Sequence, residues 1–313
     1  MKVLLCTSAA SRARYEAAFS QALPEFEFFW RDSQDPRVQA GVPQAEVAVA
    51  WKPCEAVFVE QRSLRAVFNL GAGVDALLAL HSLPPDLPLF RLEDAGMASP
   101  MARYALAAVL RHELRFDAYA QDQAAKRWLP CPPRNAGQMI VGVAGLGAIG
   151  STVATTLAQA GYVVRGYARS RHGLPGVVSY TEDELSLFLD DVNVLVNVLP
   201  LTPATTGLLN ATTLGRLAHG AYLVNLARGA HLVDADLLRL IDSGQISGAT
   251  LDVFATEPLP ATHPFWTRPE ILITPHVSGL TDVGAAAQQI ANKLRAWSRG
   301  EVVSGQVDRQ RAY

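Results

Sequence analysis

Met139-Ile140-Val141-Gly142-Val143-Ala144-Gly145-Leu146-Gly147-Ala148-Ile149-Gly150 is the stretch that decides the fold. A short apolar, β-prone run leads into three glycines spaced GxGxxG, and the helix-compatible residues Ser151–Ala160 follow. Glycines so placed permit a tight turn, close approach of the backbone to a pyrophosphate and close packing of a helix on a strand. The N-terminus of that helix would face the negative charge. A bare GxGxxG is a weak signal. The strand before it, the helix after it and a second strand, Val163–Tyr167, at the right distance turn it into an expected dinucleotide site of the Rossmann type. A glycine turn kept only for packing is the competing reading. Cofactor contacts are expected at Gly145, Gly147, Ala148, Ile149 and Gly150, and also at Leu199, Pro200, Leu226 and Ala227.

The end of the second strand is where a carboxylate would ordinarily hold the ribose hydroxyls of NAD. Here the chain reads Ala168-Arg169-Ser170-Arg171, with no acid. An aspartate would repel a 2′-phosphate, whereas two guanidinium groups and a hydroxyl can bind one. NADP(H) is therefore the expected cofactor, with NAD(H) possible if the arginines form only a solvated basic turn.

Outward from this turn, β-prone runs alternate with helix-compatible stretches on both sides, the rhythm of βα units and parallel sheets. Before it come Val3–Cys6, Phe26–Trp30, Val47–Trp51, Ala66–Leu70 and Leu89–Leu92, with a helix at Ser11–Leu23. After it come Val163–Tyr167, Val192–Val198, Tyr222–Leu226, Ala249–Val253 and Ile271–Thr274. One long helix is expected over Pro100–Gln123, closed by the proline-rich Trp128-Leu129-Pro130-Cys131-Pro132-Pro133. Thr181 with Glu184 spells a capping box, Asp234 is placed to cap Ala235–Ser243, Gly244 follows as a C′ glycine, and a last helix over Thr281–Arg299 ends on Gly300.

A chain of 313 residues suits two domains rather than one core. With 18% charged residues and a formal net charge of -2, it has no basic field for nucleic acid or an anionic membrane, so small molecules and copies of itself are the expected partners. Cys6, Cys54 and Cys131 are odd in number, far apart and in no metal-ligand spacing, so no disulfide framework and no metal is expected, and a reducing cytoplasm fits. The start, Met1–Cys6, has too short an apolar run for a signal peptide. The uncharged stretch 136–164 is long enough to cross ~30 Å of bilayer, but its six glycines fit a strand, a turn and a helix rather than one span.

Three polar residues fall just after expected strand ends, on the edge where open α/β sheets place their ligands. Arg228, in Asn225-Leu226-Ala227-Arg228-Gly229, can grip the carboxylate and carbonyl oxygens of a 2-oxo acid together. His276, in Thr274-Pro275-His276-Val277-Ser278-Gly279, is suited to protonate the alkoxide formed as hydride arrives. Glu257, in Asp252-Val253-Phe254-Ala255-Thr256-Glu257-Pro258, would hold the imidazole and favour its protonated form. Singly, each is as readily a structural histidine, a surface ion pair or a solvated turn. Together, downstream of a dinucleotide turn, they point to reduction of a carbonyl.

These residues make the chain resemble the D-isomer-specific 2-hydroxyacid dehydrogenases, and within them the bacterial glyoxylate/hydroxypyruvate reductase A branch. The likeness spans essentially the whole chain, including Leu70-Gly71-Ala72-Gly73-Val74-Asp75, Phe90-Arg91-Leu92-Glu93-Asp94, Leu251-Asp252-Val253-Phe254 and Gly305-Gln306-Val307-Asp308-Arg309. The resemblance implies that Arg228 binds substrate, Glu257 orients the histidine, His276 donates the proton and Asp252 meets the nicotinamide carboxamide. It implies that backbone N–H groups around Ala72 and Gly73 receive the substrate carboxylate, with Trp51 and Met97 as further pocket candidates. It also implies two doubly wound α/β domains. A smaller flavodoxin-like substrate domain would comprise residues 1–98 and 283–313, a Rossmann domain residues 99–282, and a cleft between them would close over the ligands. The resemblance further implies a homodimer, as relatives generally are, with Trp128 as a candidate interface residue. The expected activity is NADPH-dependent reduction of glyoxylate to glycolate and of hydroxypyruvate to D-glycerate. A nucleotide-sensing module without turnover is the alternative, which would have no need of a proton donor. Formate dehydrogenases carry glutamine in place of Glu257, and phosphoglycerate dehydrogenases usually carry an acid in place of Ala168.

Overall fold

Apolar runs that are buried on both faces belong in parallel sheets covered by helices, and the chain builds two of them. The computed structural model describes all residues 1–313. It divides into two compact units, one of residues 1–96 with 281–313 and one of residues 97–280.

The first unit holds strands β1 (Lys2–Thr7), β2 (Glu27–Asp32), β3 (Val47–Ala50), β4 (Ala66–Asn69) and β5 (Leu89–Phe90). All pair in parallel, in the order β2-β1-β3-β4-β5. That is the order of a flavodoxin-like doubly wound sheet. Leu4, Val57, Val67, Leu77 and Leu89 fill one face, and Val307 from the C-terminal tail joins them. The tail is fastened by specific bonds. Lys293, buried in the helix Val283–Ser298, donates to the carbonyls of Arg91 at 2.8 Å and Ser304 at 2.9 Å, and Val307 N donates to Leu89 O at 2.8 Å.

The second unit holds β6 (Ile140–Ala144), β7 (Val163–Tyr167), β8 (Val177–Tyr180), β9 (Val194–Asn197), β10 (Ala221–Asn225), β11 (Ile246–Leu251) and β12 (Ile271–Ile273). The order β12-β11-β10-β9-β6-β7-β8, again all parallel, is the Rossmann order with one strand added beyond β11. Phe188, Leu195, Leu223, Leu237, Leu251 and Phe265 form the core of one face. No helix is long and apolar enough to cross a membrane.

Three local expectations are corrected. β8 follows the Arg169–Gly176 turn, where no strand is expected from the sequence. The long helix is two, Ala98–Glu113 and Phe116–Ala124, broken at Arg115, whose φ is 62°. The break is stabilised by the returning chain: Arg134 donates to His112 O at 2.6 Å through its side chain and to Glu113 O at 3.0 Å through its amide, occupying carbonyls that a continuous helix would have used. Asp234 is the first residue of its helix, Asp234–Asp242, rather than its cap, and its carboxylate faces His263 at 3.3 Å. The Thr181–Glu184 capping box is present, but on a single 3₁₀ turn.

His112 gives the second unit a pH dependence. It is 4% exposed, with its ring 4.9 Å from that of Tyr222, and burial pushes the imidazole down to about 3, helped by the Arg134 and Arg115 charges. The unfolded chain, titrating near ~6.5, therefore binds the proton that the folded chain refuses. Stability contributed by the neutral ring is full above that value and is lost as pH falls from about 6.5 toward 3, at up to ~1.4 kcal/mol per pH unit. His112→Phe should remove this part of the slope, so urea midpoints at pH 7 and pH 5 should converge in the variant. An identical pH loss in both proteins would show that His112 does not set it.

Candidate active site

The glycine turn lies at the C-terminal end of β6, beside β9, where the strand order reverses. This is the switch point at which open α/β sheets bind ligands. Gly145 has φ +104°, a conformation that side chains rarely adopt. A Cβ on Gly150 would stand 1.7 Å from Gly145 O, so the helix Ala148–Gln159 rests directly on the turn. Gly147 has the opposite surroundings: nothing lies within 4 Å of where its Cβ would be, and the residue is exposed at the helix N-terminus. The first helical bond runs from Ser151 N to Gly147 O, which leaves the amides of Ala148, Ile149 and Gly150 without an intrahelical acceptor. A close-packed glycine pair below and an open amide edge above fit a dinucleotide's pyrophosphate.

Of the other expected cofactor contacts, Pro200 is exposed and Leu199 half-buried after β9, while Leu226 and Ala227 are buried after β10. Beyond β7, Arg169, Ser170 and Arg171 are exposed and Ala168 half-buried. Arg171 is already engaged, donating to Ser179 O at 2.5 Å and to Glu184 Oε1 at 2.6 Å. Glu184 Oε2 in turn accepts from Thr181 N at 2.8 Å. The basic turn is thus anchored through Arg171.

Arg228, Glu257 and His276 follow β10, β11 and β12, which are adjacent strands of the sheet. Glu257 and His276 are in direct contact, Nδ1 lying 2.9 Å from Oε2, and Glu257 Oε1 accepts from Phe254 N at 3.1 Å. With Nδ1 committed to the carboxylate, Nε2 is the nitrogen left to meet a ligand. His276 has φ 54°, and its amide donates to Asp252 O at 2.8 Å. The Arg228 loop is pressed onto the Glu257 loop: a Cβ on Gly229 would stand 1.8 Å from Phe254 C. Asn225, at the end of β10, donates to Arg228 O at 3.1 Å.

Asp252 directly follows β11. It has no exposed surface, and its carboxylate accepts from Thr274 Oγ1 at 2.6 Å, Val277 N at 2.9 Å and Ser278 N at 2.9 Å. The carboxylate thereby holds the loop that carries His276. Met97 is likewise buried, at the start of the helix Ala98–Glu113.

In the first unit, Trp51 is half-buried with its ring laid on Gly71, where a Cβ would meet it at 2.1 Å. Ala72 and Gly73 follow, both half-buried. Residues given no role by the sequence motifs support these groups: Asn69 and Asn225 each close an apolar strand and are buried, Thr274 bridges Asp252 and Tyr104, and His231 lies with Nδ1 3.1 Å from Arg228 O. An asparagine ending an apolar strand is the signal that could have found the first two, because a buried amide must be partnered.

The doubly wound sheet with a glycine turn at its switch point, and an oriented histidine at the same strand edge, defines the class of dinucleotide-dependent oxidoreductases. A sequence model described as "D-isomer specific 2-hydroxyacid dehydrogenase, NAD binding domain" matches residues 106–278. The chain is 43% identical over 299 residues, 93% of each chain, to a glyoxylate/hydroxypyruvate reductase A of Serratia proteamaculans (strain 568). Its fold superposes with a TM-score of 0.93 on a D-isomer specific 2-hydroxyacid dehydrogenase from Xanthobacter autotrophicus Py2 solved with NADPH and MES, at 39% identity over 99% of both chains. An NADPH-dependent glyoxylate/hydroxypyruvate reductase from Sinorhizobium meliloti, solved with NADP and sulfate, gives 0.91 at 33% identity over 100% of this chain and 99% of that one. This chain belongs to the D-isomer specific 2-hydroxyacid dehydrogenase family.

Proposed function

We propose that the protein reduces small 2-oxo acids with NADPH, taking glyoxylate to glycolate and hydroxypyruvate to D-glycerate. The observation that carries the reading is the 2.9 Å contact of His276 Nδ1 with Glu257, on a strand edge shared with Arg228 and the glycine turn. The Serratia and Sinorhizobium relatives named for this activity support the substrate class, and the NADPH and NADP bound in the Xanthobacter and Sinorhizobium structures support the cofactor.

Bound at the glycine turn, NADPH would supply hydride to the carbonyl carbon. Arg228 presents a planar fork that can bind the carboxylate and carbonyl oxygens together and hold the carbonyl in one orientation. Glu257 fixes Nδ1 of His276 as a donor to itself, so that Nε2 delivers a proton to the oxygen as negative charge develops there. Asp252 keeps the His276 loop in place through three hydrogen bonds from Thr274, Val277 and Ser278. The first unit, taken by itself, presents the amides around Ala72 and Gly73 as donors suited to a carboxylate.

A homodimer belongs to the same reading. The helix Phe116–Ala124 buries none of its residues within the chain, and Phe116 and Trp128 are 53% and 97% exposed. A monomer's mass in light scattering would remove this part.

The decisive assay is a panel of 2-oxo acids with NADPH and NADH. Oxidation of NADPH that depends on glyoxylate or hydroxypyruvate is expected. Activity confined to larger 2-oxo acids, or to NADH, would replace the assignment within the family.

A further inference from the structure

We infer that Asn69 is a positioning residue for the substrate carboxylate, acting by fixing the direction of the backbone amides that follow it. The inference rests on the proposed reduction of 2-oxo acids and concerns the first unit alone.

Asn69 is the last residue of β4 and is 3% exposed. Its Nδ2 donates to Gly71 O at 2.9 Å and to Gly73 O at 2.8 Å. Two carbonyl oxygens facing one terminal atom identify that atom as the nitrogen, the only side-chain group here with two hydrogens to give. In a trans peptide the C=O and the following N–H point in opposite directions within one plane. Drawing the Gly71 carbonyl toward Asn69 therefore turns the Ala72 N–H away from it, and drawing in the Gly73 carbonyl does the same for the Val74 N–H. The Gly73 N–H lies in the intervening peptide, between two planes whose orientation is set.

The amides so displayed have no competing acceptor. Neither Ala72 N nor Gly73 N donates to any backbone or side-chain group of the protein, although both residues are half-buried. The Gly71 carbonyl is held a second time, by Leu92 N at 3.1 Å, and the Trp51 ring covers the turn where a Cβ on Gly71 would meet it at 2.1 Å. A turn anchored at both carbonyls and shielded on one side keeps its donors aimed without reorganisation, the condition under which backbone amides bind an anion well. Glycine at 71 supplies the room for the Trp51 ring, and the Asn69 side chain supplies the direction.

Two substitutions separate this role from simple folding. Asn69→Asp keeps the shape but replaces both donors with lone pairs that repel the two carbonyls. Asn69→Ser keeps one donor. On the NADPH-loaded protein, Asn69→Asp should weaken binding of oxalate, used as a carboxylate probe in calorimetry, by about tenfold or more, the loss of roughly one to two oriented hydrogen bonds. Asn69→Ser should lie between it and the wild type. The KM for glyoxylate should rise in the same order, with kcat changed by less than about threefold. NADPH affinity should be unchanged, because the glycine turn belongs to the other unit. A general folding defect would instead lower NADPH binding and kcat together. Oxalate affinity and glyoxylate KM that stay at wild-type values in Asn69→Asp would overturn the inference. A wild type that binds oxalate but reduces no 2-oxo acid would overturn the functional reading and leave the calorimetric comparison to decide Asn69 on its own.

Discussion

His276→Asn is expected to lower kcat for glyoxylate by about 10²–10⁴-fold, the usual contribution of a positioned general acid, while NADPH binds with unchanged affinity. The substitution removes Nε2 and its proton, yet asparagine can still reach the Glu257 carboxylate that now holds Nδ1 at 2.9 Å. The loop itself is anchored elsewhere. Its amides at 276, 277 and 278 are held by the carbonyl and carboxylate of Asp252, so loss of the ring need not release it. Single-turnover measurements with saturating NADPH would separate a slow proton-coupled step from weak substrate binding. A loss below about tenfold would take the proton-donor role from His276.

The second large effect concerns cofactor choice. Replacing Arg169 and Arg171 with alanine, and Ala168 with aspartate, should lower the NADPH over NADH ratio of kcat/KM by about 10²-fold or more, with the chemistry at His276 unaffected. A charge-assisted hydrogen bond contributes ~1.5–3 kcal/mol, and ~1.4 kcal/mol is tenfold, so two or three contacts would in principle exceed this. The Glu184 carboxylate and the solvent exposure of the turn pull the value down, since Arg171 is already bonded at 2.6 Å and exposed charges are screened. The preference should also weaken as salt is raised. A triple variant that keeps its NADPH preference would mean that another part of the fold reads the 2′-phosphate.

The glycine turn and the placement of Arg228, Glu257 and His276 were legible because their spacing relative to apolar strands encodes where they must lie. Gly145, Gly147 and Gly150 differ in what surrounds them, yet all three follow from a strand running into a helix. Arg228, Glu257 and His276 could be placed on one edge because parallel strands put all their C-terminal ends on the same side. What was hidden depends on which way a side chain turns. The motif around Asp252 does not show that three donors from residues more than twenty positions away meet its carboxylate. Nor does the basic turn show by itself that a carboxylate thirteen residues on meets the Arg171 guanidinium. The helix break at Arg115 was invisible for a related reason: periodicity continues through it, and the group that stabilises it, Arg134, arrives from beyond the proline-rich stretch. Strand β8 is four residues long at a sheet edge, and its half-buried pattern lacks the continuous apolar signature of its neighbours.

The central claim is hydride transfer to the carbonyl carbon of a small 2-oxo acid with D stereochemistry. It is tested most directly by incubating the wild-type protein with hydroxypyruvate and NADPH deuterated at the transferable position, then analysing the glycerate formed. The expected product is D-glycerate carrying one deuterium on C2. L-glycerate, or glycerate without the label, would contradict it.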